Sequence, residues 1–344
     1  MTNINHSPKV LVTGASGFVG LHTMLHLLKS GYQVRATVRT EAREQKTRAT
    51  LSDHIHTGTF EFVYADLTID DGWQDAARDC DFVIHTAAPY PIENPKDASE
   101  LIHTIRDGTL RVLRAAHAEG IPRVVLLSSS GAINDGHQGE NRTFDESDWT
   151  DLGKCTYVYH TAKTLSERAA WEFIQGPENQ LKMEMVVINP SGVLGPVLDD
   201  HLHTSVQWIR TLMRAEVPGL PRILLPMVDV RDLVDILANA MTLPGASGKR
   251  FICHAAAIPI TELADILHEN FSQLGYRIPT KVLPDVLIRI MALINPKVKA
   301  VVGGLNWDFR LSTDNINAVF GWQPRPYRQT IIDMANSLIE HGLV

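Results

Sequence analysis

KVLVTGASGFVG, residues 9–20, joins an apolar run to a glycine-rich turn near the start of the chain. The run KVLVTGA (residues 9–15) predicts a buried strand, and residues 18–30 follow as a helix that Gly31 closes. Glycine permits a tight turn between the two, and free N–H groups at a helix N-terminus bind pyrophosphate. The stretch therefore favours a dinucleotide loop over its alternative, a glycine turn without a ligand.

The same alternation of strand and helix continues along the first half of the chain. Further apolar runs predict strands at residues 33–39, 60–67, 81–88, 123–130 and 183–190. Helical spacing of apolar residues covers 100–119 and 157–173. Continuous apolar strands separated by helices are typical of an α/β fold, a doubly wound parallel sheet that binds ligands at the carboxyl ends of its strands.

The pattern loosens after Pro190, where proline and glycine become frequent and short strands mix with helices. We expect a dinucleotide-binding domain over residues 1–190. Residues 191–344 are predicted to form mostly a smaller, interleaved substrate-binding lobe, with some segments returning to the first domain. The run LPDVLIRIMALI (residues 283–294) is too short and too charged to span a bilayer, which predicts a packed helix or a lid over a pocket.

Composition narrows the class of protein. The chain has 344 residues and a net charge of −7 without a basic block, which argues against a nucleic-acid surface. Its three cysteines lack metal-ligand spacing, and the polar N-terminus is not a secretory signal. We expect a cytoplasmic protein with a small-molecule substrate and neither nucleic-acid nor membrane partners; a homodimer stays open.

The end of the second strand indicates which nicotinamide cofactor fits. An acidic residue there would hold the ribose 2′-hydroxyl of NAD, whereas an arginine accommodates the 2′-phosphate of NADP. Arg39 occupies this place nineteen residues after Gly20, and Lys46 lies just beyond. The sequence favours NADP(H) bound by Arg39 and Lys46 over the alternative of a solvated basic surface.

A tyrosine and a lysine with helical spacing form the candidate catalytic pair. Tyr159 and Lys163 are four residues apart, so they share one face of the predicted helix. A nearby ammonium lowers the phenol pKa from its usual value of about 10, which eases proton transfer to a carbonyl oxygen. Tyr157 has Thr161 at the matching position, so we interpret it as a bystander.

These motifs, in this order, resemble the extended short-chain dehydrogenase/reductases, in particular the branch of dihydroflavonol 4-reductases and aldehyde reductases. The resemblance covers nearly the whole chain. Its motifs are TGASGFVG (13–20), VRATVR (34–39), ADL (65–67), HTAAP (85–89), SSSGAIN (128–134), YHTAKTLSERAAW (159–171), NPSGVLGP (189–196) and FGWQPR (320–325). It implies a Rossmann-type domain, NADP(H) and a reductase that uses Tyr159, Lys163 and a serine, with the lysine also holding the nicotinamide ribose.

The resemblance assigns the remaining roles. An ungapped alignment of SSSGAIN places the catalytic serine at Ser129, with Ser130 as the runner-up. The fourth helix lacks the asparagine that completes a catalytic tetrad in many members, which leaves the proton relay open. Including the loop itself, the implied cofactor site comprises Gly14, Ser16, Gly17, Phe18, Val19, Gly20, Arg39, Lys46, Asp66, Leu67, Thr86, Ala87, Ala88, Tyr159, Lys163, Pro190, Ser191, Gly192, Val193 and Ser205.

A substrate pocket follows from the same resemblance, bordered by Tyr90, Pro91, Asn134 and Trp208. Its aromatic and apolar lining favours a medium-sized hydrophobic aldehyde or ketone. The pairs His54/His56 and His201/His203 lack a convincing third ligand, so we expect no metal and interpret them as solvated loop residues.

Three alternatives to a carbonyl reductase stay open at this point. A sugar-nucleotide epimerase or dehydratase shares the Ser–Tyr–Lys core and would use Arg210, Arg214 or Arg222 for a diphosphate. A 3β-hydroxysteroid-type dehydrogenase with NAD also shares the core. A cofactor-sensing regulator that is not an enzyme typically lacks the Tyr–Lys pair.

Overall fold

The structure, a computed structural model, describes residues 7–56, 58–91, 93–201 and 203–344, without the side chains of residues 296, 297 and 300. Its strands are β1 Lys9–Thr13, β2 Gln33–Val38, β3 Phe60–Tyr64, β4 Phe82–His85, β5 Arg123–Leu127, β6 Thr143–Phe144, β7 Glu184–Pro190, β8 Gly192–Leu194, β9 Leu224–Asp229, β10 Arg250–Cys253, β11 Ala256–Pro259 and β12 Arg310–Leu311. Its helices are α1 Phe18–Lys29, α2 Glu41–His54, α3 Trp73–Ala77, α4 Ala98–Ala118, α5 Val158–Gln175, α6 Gln207–Met213, α7 Val230–Ala240, α8 Ile260–Phe271, α9 Asp285–Met291, α10 Pro296–Val301, α11 Asp314–Phe320 and α12 Tyr327–Glu340.

One large sheet organises the described residues. Its seven strands lie in the order β10-β7-β5-β4-β1-β2-β3, and every neighbouring pair is parallel. The chain moves outward from β1 to β3 and then returns to the other side of β1 with β4. This confirms the predicted doubly wound α/β fold and puts the switch in strand order between β1 and β4, where such sheets bind ligands.

Both faces of the sheet are covered, as the apolar strands require. Side chains alternate along β1, so Val10 and Val12 pack with residues of α1 and α7 on one face. Leu11 points the other way and packs with residues of α3, α4 and α5. This burial on both sides fixes the carboxyl edge of the sheet as a rigid base for the site.

Several details of the first half differ from the prediction. Helix α3 was not predicted, and β3 and β4 end at Tyr64 and His85 rather than at residues 67 and 88. The hydrophilic helix α2 was not predicted, because only Thr47, Thr50 and Leu51 of its side chains are buried and no apolar stripe marks it. The fifth strand ends at Leu127 rather than continuing to residue 130, since a 3₁₀ turn begins at Ser130 with Ser129 as its N-cap. The serines therefore stand on the turn beyond the strand.

The second half of the chain builds a smaller layer and also returns to the first. Strands β8, β9 and β11 form a separate sheet, packed with α6, α8 and α12 around a common apolar cluster. Strand β10, by contrast, closes the large sheet beside β7, and β12 pairs with β6.

The segment from residue 283 to 294 is not the packed helix of the prediction. In α9 and the turn after it, exposed side chains include Val286, Leu287, Ile290, Leu293 and Ile294, and Ile288 is the buried residue of the helix. Among the described helices, none combines the length and apolar character needed to cross a membrane.

Candidate active site

The glycines of the loop stand where a side chain would collide with neighbouring backbone. Gly14 has a φ of +71°, and a Cβ atom placed there would lie 2.7 Å from the Ala87 Cα atom. A Cβ atom on Gly20 would lie 2.2 Å from the Gly14 carbonyl oxygen. Within the described chain, Gly17 caps α1 without a side-chain hydrogen bond, and the first turn carries no acid. The loop thus fits a diphosphate at the N-terminus of α1.

The end of β4 lies directly against this loop. Thr86 donates a hydrogen bond from Oγ1 to the Thr13 carbonyl oxygen at 2.6 Å, and the Ala87 N–H donates to Thr13 Oγ1 at 3.2 Å. The structure therefore brings the predicted cofactor residues Thr86 and Ala87 together with Gly14 at the switch between β1 and β4. Ala88 follows and, like Tyr159, packs against the small apolar cluster of Leu101, Ile105 and Ala162.

Beneath this contact lies a buried polar chain that the sequence did not indicate. Both ring nitrogens of His85 make hydrogen bonds. Nδ1 lies 2.7 Å from Thr13 Oγ1, and Nε2 lies 3.1 Å from Thr109 Oγ1. Ser166 of α5 donates to the same Thr109 hydroxyl at 2.8 Å. Burial lowers the pKa of His85 to about 3, so its imidazole stays neutral and ties β1 to α4 and α5.

Arg39 stands exposed just past the end of β2, near Asp66. Hydrogen bonds from Thr68 lower the pKa of Asp66, and the charge of Arg39 contributes to the same effect. Asp66 thus accepts from Thr68, while the Arg39 guanidinium makes no ion pair within the part of the chain that is described. Leu67 follows and contacts Gly108 of α4.

Lys46 is already paired in the structure. Its ammonium lies 2.6 Å from Asp200 Oδ1, an ion pair at the surface between α2 and the loop after β8. The predicted role of Lys46 at a cofactor phosphate would require this pair to open or to be shared.

Tyr159 lies in a group of stacked phenols at the start of α5. Its ring centroid is 4.5 Å from that of Tyr90 and 6.0 Å from that of Tyr157. The Tyr157 hydroxyl donates to the Pro91 carbonyl oxygen at 2.5 Å, which fixes it to the loop after β4. The structure thus brings Tyr90 beside Tyr159 and gives Tyr157 a structural partner in Pro91; the role of Tyr90 and Pro91 in a substrate pocket stays a prediction.

The protonation of Tyr159 differs from the expectation. Burial, and to a smaller degree Tyr90 and Tyr157, raise the pKa of the Tyr159 phenol. Among the described residues, the Lys163 ammonium bonds to the Leu127 carbonyl oxygen at 2.6 Å and not to Tyr159. The phenol consequently keeps its proton at neutral pH, which is the state that a proton donor needs.

Lys163 is buried, with 5% of its surface exposed. Burial lowers the pKa of its ammonium to about 8, and the charge of Glu167 opposes this effect. The pKa of Lys163 therefore lies close to neutral pH. At the base of the site, its ammonium is available to share its charge with a hydroxyl group.

The three serines after β5 have different surroundings. Ser128 is buried and donates to Glu167 Oε2 at 2.5 Å. Ser129 is half-buried, and its Oγ accepts from the Gly131 N–H at 3.0 Å, so its own hydroxyl proton stays free for a substrate oxygen. Ser130 is 9% exposed and begins the 3₁₀ turn. These contacts favour Ser129 among the three as the substrate-facing hydroxyl.

Glu167 is a site residue that the sequence reasoning missed. It continues the four-residue spacing of Tyr159 and Lys163 on α5, and 1% of its surface is exposed. Arg250 of β10 donates to it from Nε at 2.5 Å. The repeated step of four could have suggested Glu167, whereas nothing in the sequence indicated a partner 83 residues away.

The remaining cofactor candidates line the end of β7 and its continuation. Pro190 ends β7, while Gly192 and Val193 begin β8. Ser191 lies between them, and its Oγ is 3.2 Å from Nδ1 of the buried His254. Ser205 stands half-buried in a 3₁₀ turn before α6.

Two predicted pocket residues, Asn134 and Trp208, make no side-chain hydrogen bond or ring contact with the phenol group among the described residues. Asn134 is buried, with 7% exposed, just after the serine turn. Trp208 on α6 is 37% exposed and makes no aromatic contact with Tyr159 within the described chain.

The histidine pairs are partly buried rather than uniformly solvated. His203 is buried, with its ring 5.7 Å from that of Phe18 at the start of α1 and 4.7 Å from that of His201. His54 contacts the Leu198 carbonyl oxygen at 3.3 Å. Across the described residues, no group of three or more histidine, cysteine or acidic side chains is arranged to hold a metal ion.

Comparison with known proteins decides the family. The family model described as NAD dependent epimerase/dehydratase matches residues 10–252, which span β1 to β10 and contain the glycine loop, Tyr159 and Lys163. The chain belongs to this family.

Its relatives include several reductases. The chain is 31% identical over 313 residues to ketoreductase azaE of Aspergillus niger, covering 86% of this chain and 92% of that protein. It is 30% identical to dihydroflavonol 4-reductase of Zea mays, covering 79% and 76%. The structure of yeast methylglyoxal/isovaleraldehyde reductase Gre2 complexed with NADPH is 25% identical and covers 98% of this chain and 100% of that one, with a TM-score of 0.82.

These matches confirm the predicted family and its dihydroflavonol reductase-like branch. Together with the glycine loop and the Tyr–Lys pair, they identify the protein as an NAD(P)-dependent oxidoreductase of the reductase type.

Proposed function

We propose that the protein is an NADPH-dependent reductase of a medium-sized hydrophobic aldehyde or ketone, acting reversibly as an alcohol dehydrogenase. One observation carries the proposal: the protonated phenol of the half-buried Tyr159 stacks on Tyr90 at 4.5 Å, one helical turn before the buried Lys163. An aromatic wall beside a proton donor suits a carbonyl group with an apolar substituent.

The chain's own groups divide the chemistry between them. When bound, the reduced nicotinamide supplies a hydride to the carbonyl carbon. Ser129 orients the carbonyl oxygen through its hydroxyl proton, and Tyr159 donates the proton that this oxygen takes up. The charge of Lys163, at the base of the site, stabilises the phenolate that remains. The glycine loop at α1 would hold the diphosphate.

Arg39 supports NADPH over NADH. Its exposed guanidinium lies past the end of β2 and has no ion-pair partner among the described residues. Asp66 nearby accepts from the N–H and the hydroxyl of Thr68 through Oδ1. A 2′-phosphate would find an available arginine there. The relatives that were solved with NADPH add to this support.

The arginines that a sugar diphosphate would need are engaged elsewhere. Arg210 donates to the Leu343 carbonyl oxygen and pairs with Glu216, which also binds Arg214. Arg222 pairs with Asp285. These contacts favour a carbonyl substrate over a sugar nucleotide.

A pair of tyrosine variants tests the proposed reaction. The parent should oxidise NADPH in the presence of members of a panel of aliphatic and aromatic aldehydes and ketones. The absorbance of the nicotinamide band measures this oxidation. Tyr159→Phe should lower kcat by about 10²- to 10⁴-fold, the usual contribution of a general acid, while cofactor still binds. Tyr157→Phe is the matched control and should keep kcat within about threefold, because its hydroxyl serves Pro91. Full activity of Tyr159→Phe would overturn the assignment.

A charge reversal tests the cofactor preference. Arg39→Asp should weaken NADPH binding by about 10- to 100-fold, the loss of a charge-assisted hydrogen bond, and leave NADH binding nearly unchanged. Arg114→Asp, an exposed change on α4, is the control. Equal losses for both cofactors would show that the 2′-phosphate is held elsewhere.

A further inference from the structure

The helix that carries Tyr159 and Lys163 also buries an acid. Glu167 is four residues beyond Lys163, so the three side chains lie along one face of α5. Its side chain is fully buried, and the mechanism above does not use it. A buried carboxylate is costly unless each oxygen is paired, so its partners reveal what it does.

The two oxygens of Glu167 face two different parts of the site. Oε2 accepts from Ser128 Oγ at 2.5 Å and from Asn189 Nδ2 at 2.8 Å. The same amide nitrogen of Asn189 donates to the Ser129 carbonyl oxygen at 3.1 Å. One carboxylate oxygen therefore clamps the backbone turn that presents Ser129, through two neighbouring contacts.

At the other oxygen of Glu167, the guanidinium of Arg250 compensates the negative charge of the carboxylate. Oε1 accepts from Arg250 Nε at 2.5 Å, and the Arg250 side chain is 8% exposed. Arg250 is held in turn by the carbonyl oxygens of Glu146 and Asp148, each at 2.8 Å, and its guanidinium lies 3.8 Å above the ring of Trp149. The clamp is thus anchored on β10, which lies two strands from β5 in the large sheet.

The clamp extends to the lysine. Leu127, which accepts from the Lys163 ammonium, directly precedes Ser128 in the chain. Fixing Ser128 therefore fixes the carbonyl that holds Lys163 as well as the hydroxyl of Ser129. Two of the three groups of the proposed mechanism depend on one turn, and that turn depends on Glu167.

We propose that Glu167 is a positioning residue, paired with Arg250, which holds the turn from Leu127 to Ser129 in the geometry that the reaction needs. The inference rests on the proposed carbonyl reduction for its effect on turnover. It assigns no contact with substrate to Glu167.

The substitution Glu167→Gln breaks the clamp with little change in volume. An amide presents one acceptor and one donor group, whereas both carboxylate oxygens accept. If the amide nitrogen faces Arg250, two donors meet; if it faces Asn189, the same conflict arises there. Either orientation loses one arm. We expect kcat to fall about 10-fold or more with the substrate KM within about threefold, the signature of a lost transition-state interaction. Glu172→Gln, an exposed acid on the same helix, is the control.

A double-mutant cycle separates positioning from a general loss of stability. If Glu167 acts through this turn, the effects of Glu167→Gln and Ser129→Ala should not multiply: Glu167→Gln should lower kcat at least about threefold less in a Ser129→Ala background, where the hold on Lys163 is the part still to be lost. The same fold reduction in both backgrounds would overturn the inference. If Glu167→Gln fails to fold because the Arg250 charge is left unpaired, the neutral pair Glu167→Gln with Arg250→Gln takes its place in the cycle.

Amide hydrogen exchange measures how firmly Glu167 holds the turn, independently of turnover. In Glu167→Gln, amides of residues 128–133 should exchange at least about 10-fold faster than in Glu172→Gln, while amides of β2 and β3 stay protected. Unchanged exchange in 128–133 would overturn the inference. If the parent reduced no carbonyl compound, the proposed function would fail by itself, and this exchange result would still decide the role of Glu167.

Discussion

Replacing Lys163 should make the protein more stable while it abolishes turnover. The ammonium of this lysine is buried, with one hydrogen bond to the Leu127 carbonyl oxygen, and Lys163→Met keeps most of the side-chain length without the charge. A buried charge that is only partly compensated costs folding free energy. The buried ammonium that the reaction needs therefore lowers the free energy of unfolding of the protein.

The magnitude follows from the pKa. Burial lowers the pKa of Lys163 from the 10.5 of a solvated lysine to about 8, a difference equivalent to about 3 kcal/mol below pH 8. Lys163→Met also leaves the Leu127 carbonyl oxygen without its donor, which costs about 1–2 kcal/mol. The variant should gain about 1–2 kcal/mol in free energy of unfolding at pH 7.

The sign of the pH dependence makes the test specific. Because the folded pKa lies below the unfolded one, the unfolded state holds more protons between pH 8 and 10.5, and stability of the parent rises with pH there. The advantage of the variant should therefore be full at pH 7, shrink above pH 8 and become a deficit of about 1–2 kcal/mol near pH 10.5, where the missing donor to the Leu127 carbonyl oxygen is what remains. Urea unfolding without cofactor at both values measures it, with Lys154→Met, an exposed lysine, as control. A variant less stable than the parent at pH 7, or a gap that does not narrow with pH, would refute the reasoning.

Two further predictions concern the loop and the buried imidazoles. Gly20→Ala should lose about 1–3 kcal/mol of stability and at least about 10-fold in NADPH affinity by fluorescence titration, because its Cβ atom would meet the Gly14 carbonyl oxygen at 2.2 Å. Gly245→Ala, whose Cβ atom would meet only Val319 at 3.6 Å, should change neither, and equal effects would count against the steric argument. Burial lowers the pKa of three histidines to about 3 or 4, so unfolding takes up protons below pH 6.5 and stability falls as pH falls. The free energies of unfolding from urea titrations at pH 6.5 and pH 5 should differ by roughly 1–2 kcal/mol per histidine, and a flat profile would contradict this. These residues are His22, His85 and His254.

Local patterns were enough to predict the sheet and the active-site edge. The run at β1 and its glycine turn indicated the first βα unit, because strand burial and turn chemistry are both encoded within a dozen residues. The spacing of Tyr159 and Lys163 likewise depends on one helix. The structure gives these residues the predicted elements, and their roles stay predictions.

What the sequence left unseen depends on contacts between distant segments. Helix α2 is stabilised by a cap at Thr40 and exposed pairs rather than an apolar stripe, so periodicity could not reveal it. The raised pKa of Tyr159 arises from burial beside Tyr90, a residue of a different loop. The hydrogen bond of the Lys163 ammonium to the Leu127 carbonyl oxygen, rather than to the Tyr159 phenol, likewise depends on how α5 packs against the end of β5.

The insertion of β10 into the large sheet has a consequence for biosynthesis. Arg250 reaches the ribosomal exit well after Glu167, Ser128 and Asn189, so the nascent nucleotide-binding portion carries a buried carboxylate without its counter-charge until the edge strand emerges. During that interval the sheet also lacks its last strand. Translation arrested just before residue 250 should therefore yield a chain that contains every proposed catalytic side chain. The turn from Leu127 to Ser129 should nevertheless lack its fixed geometry in that chain.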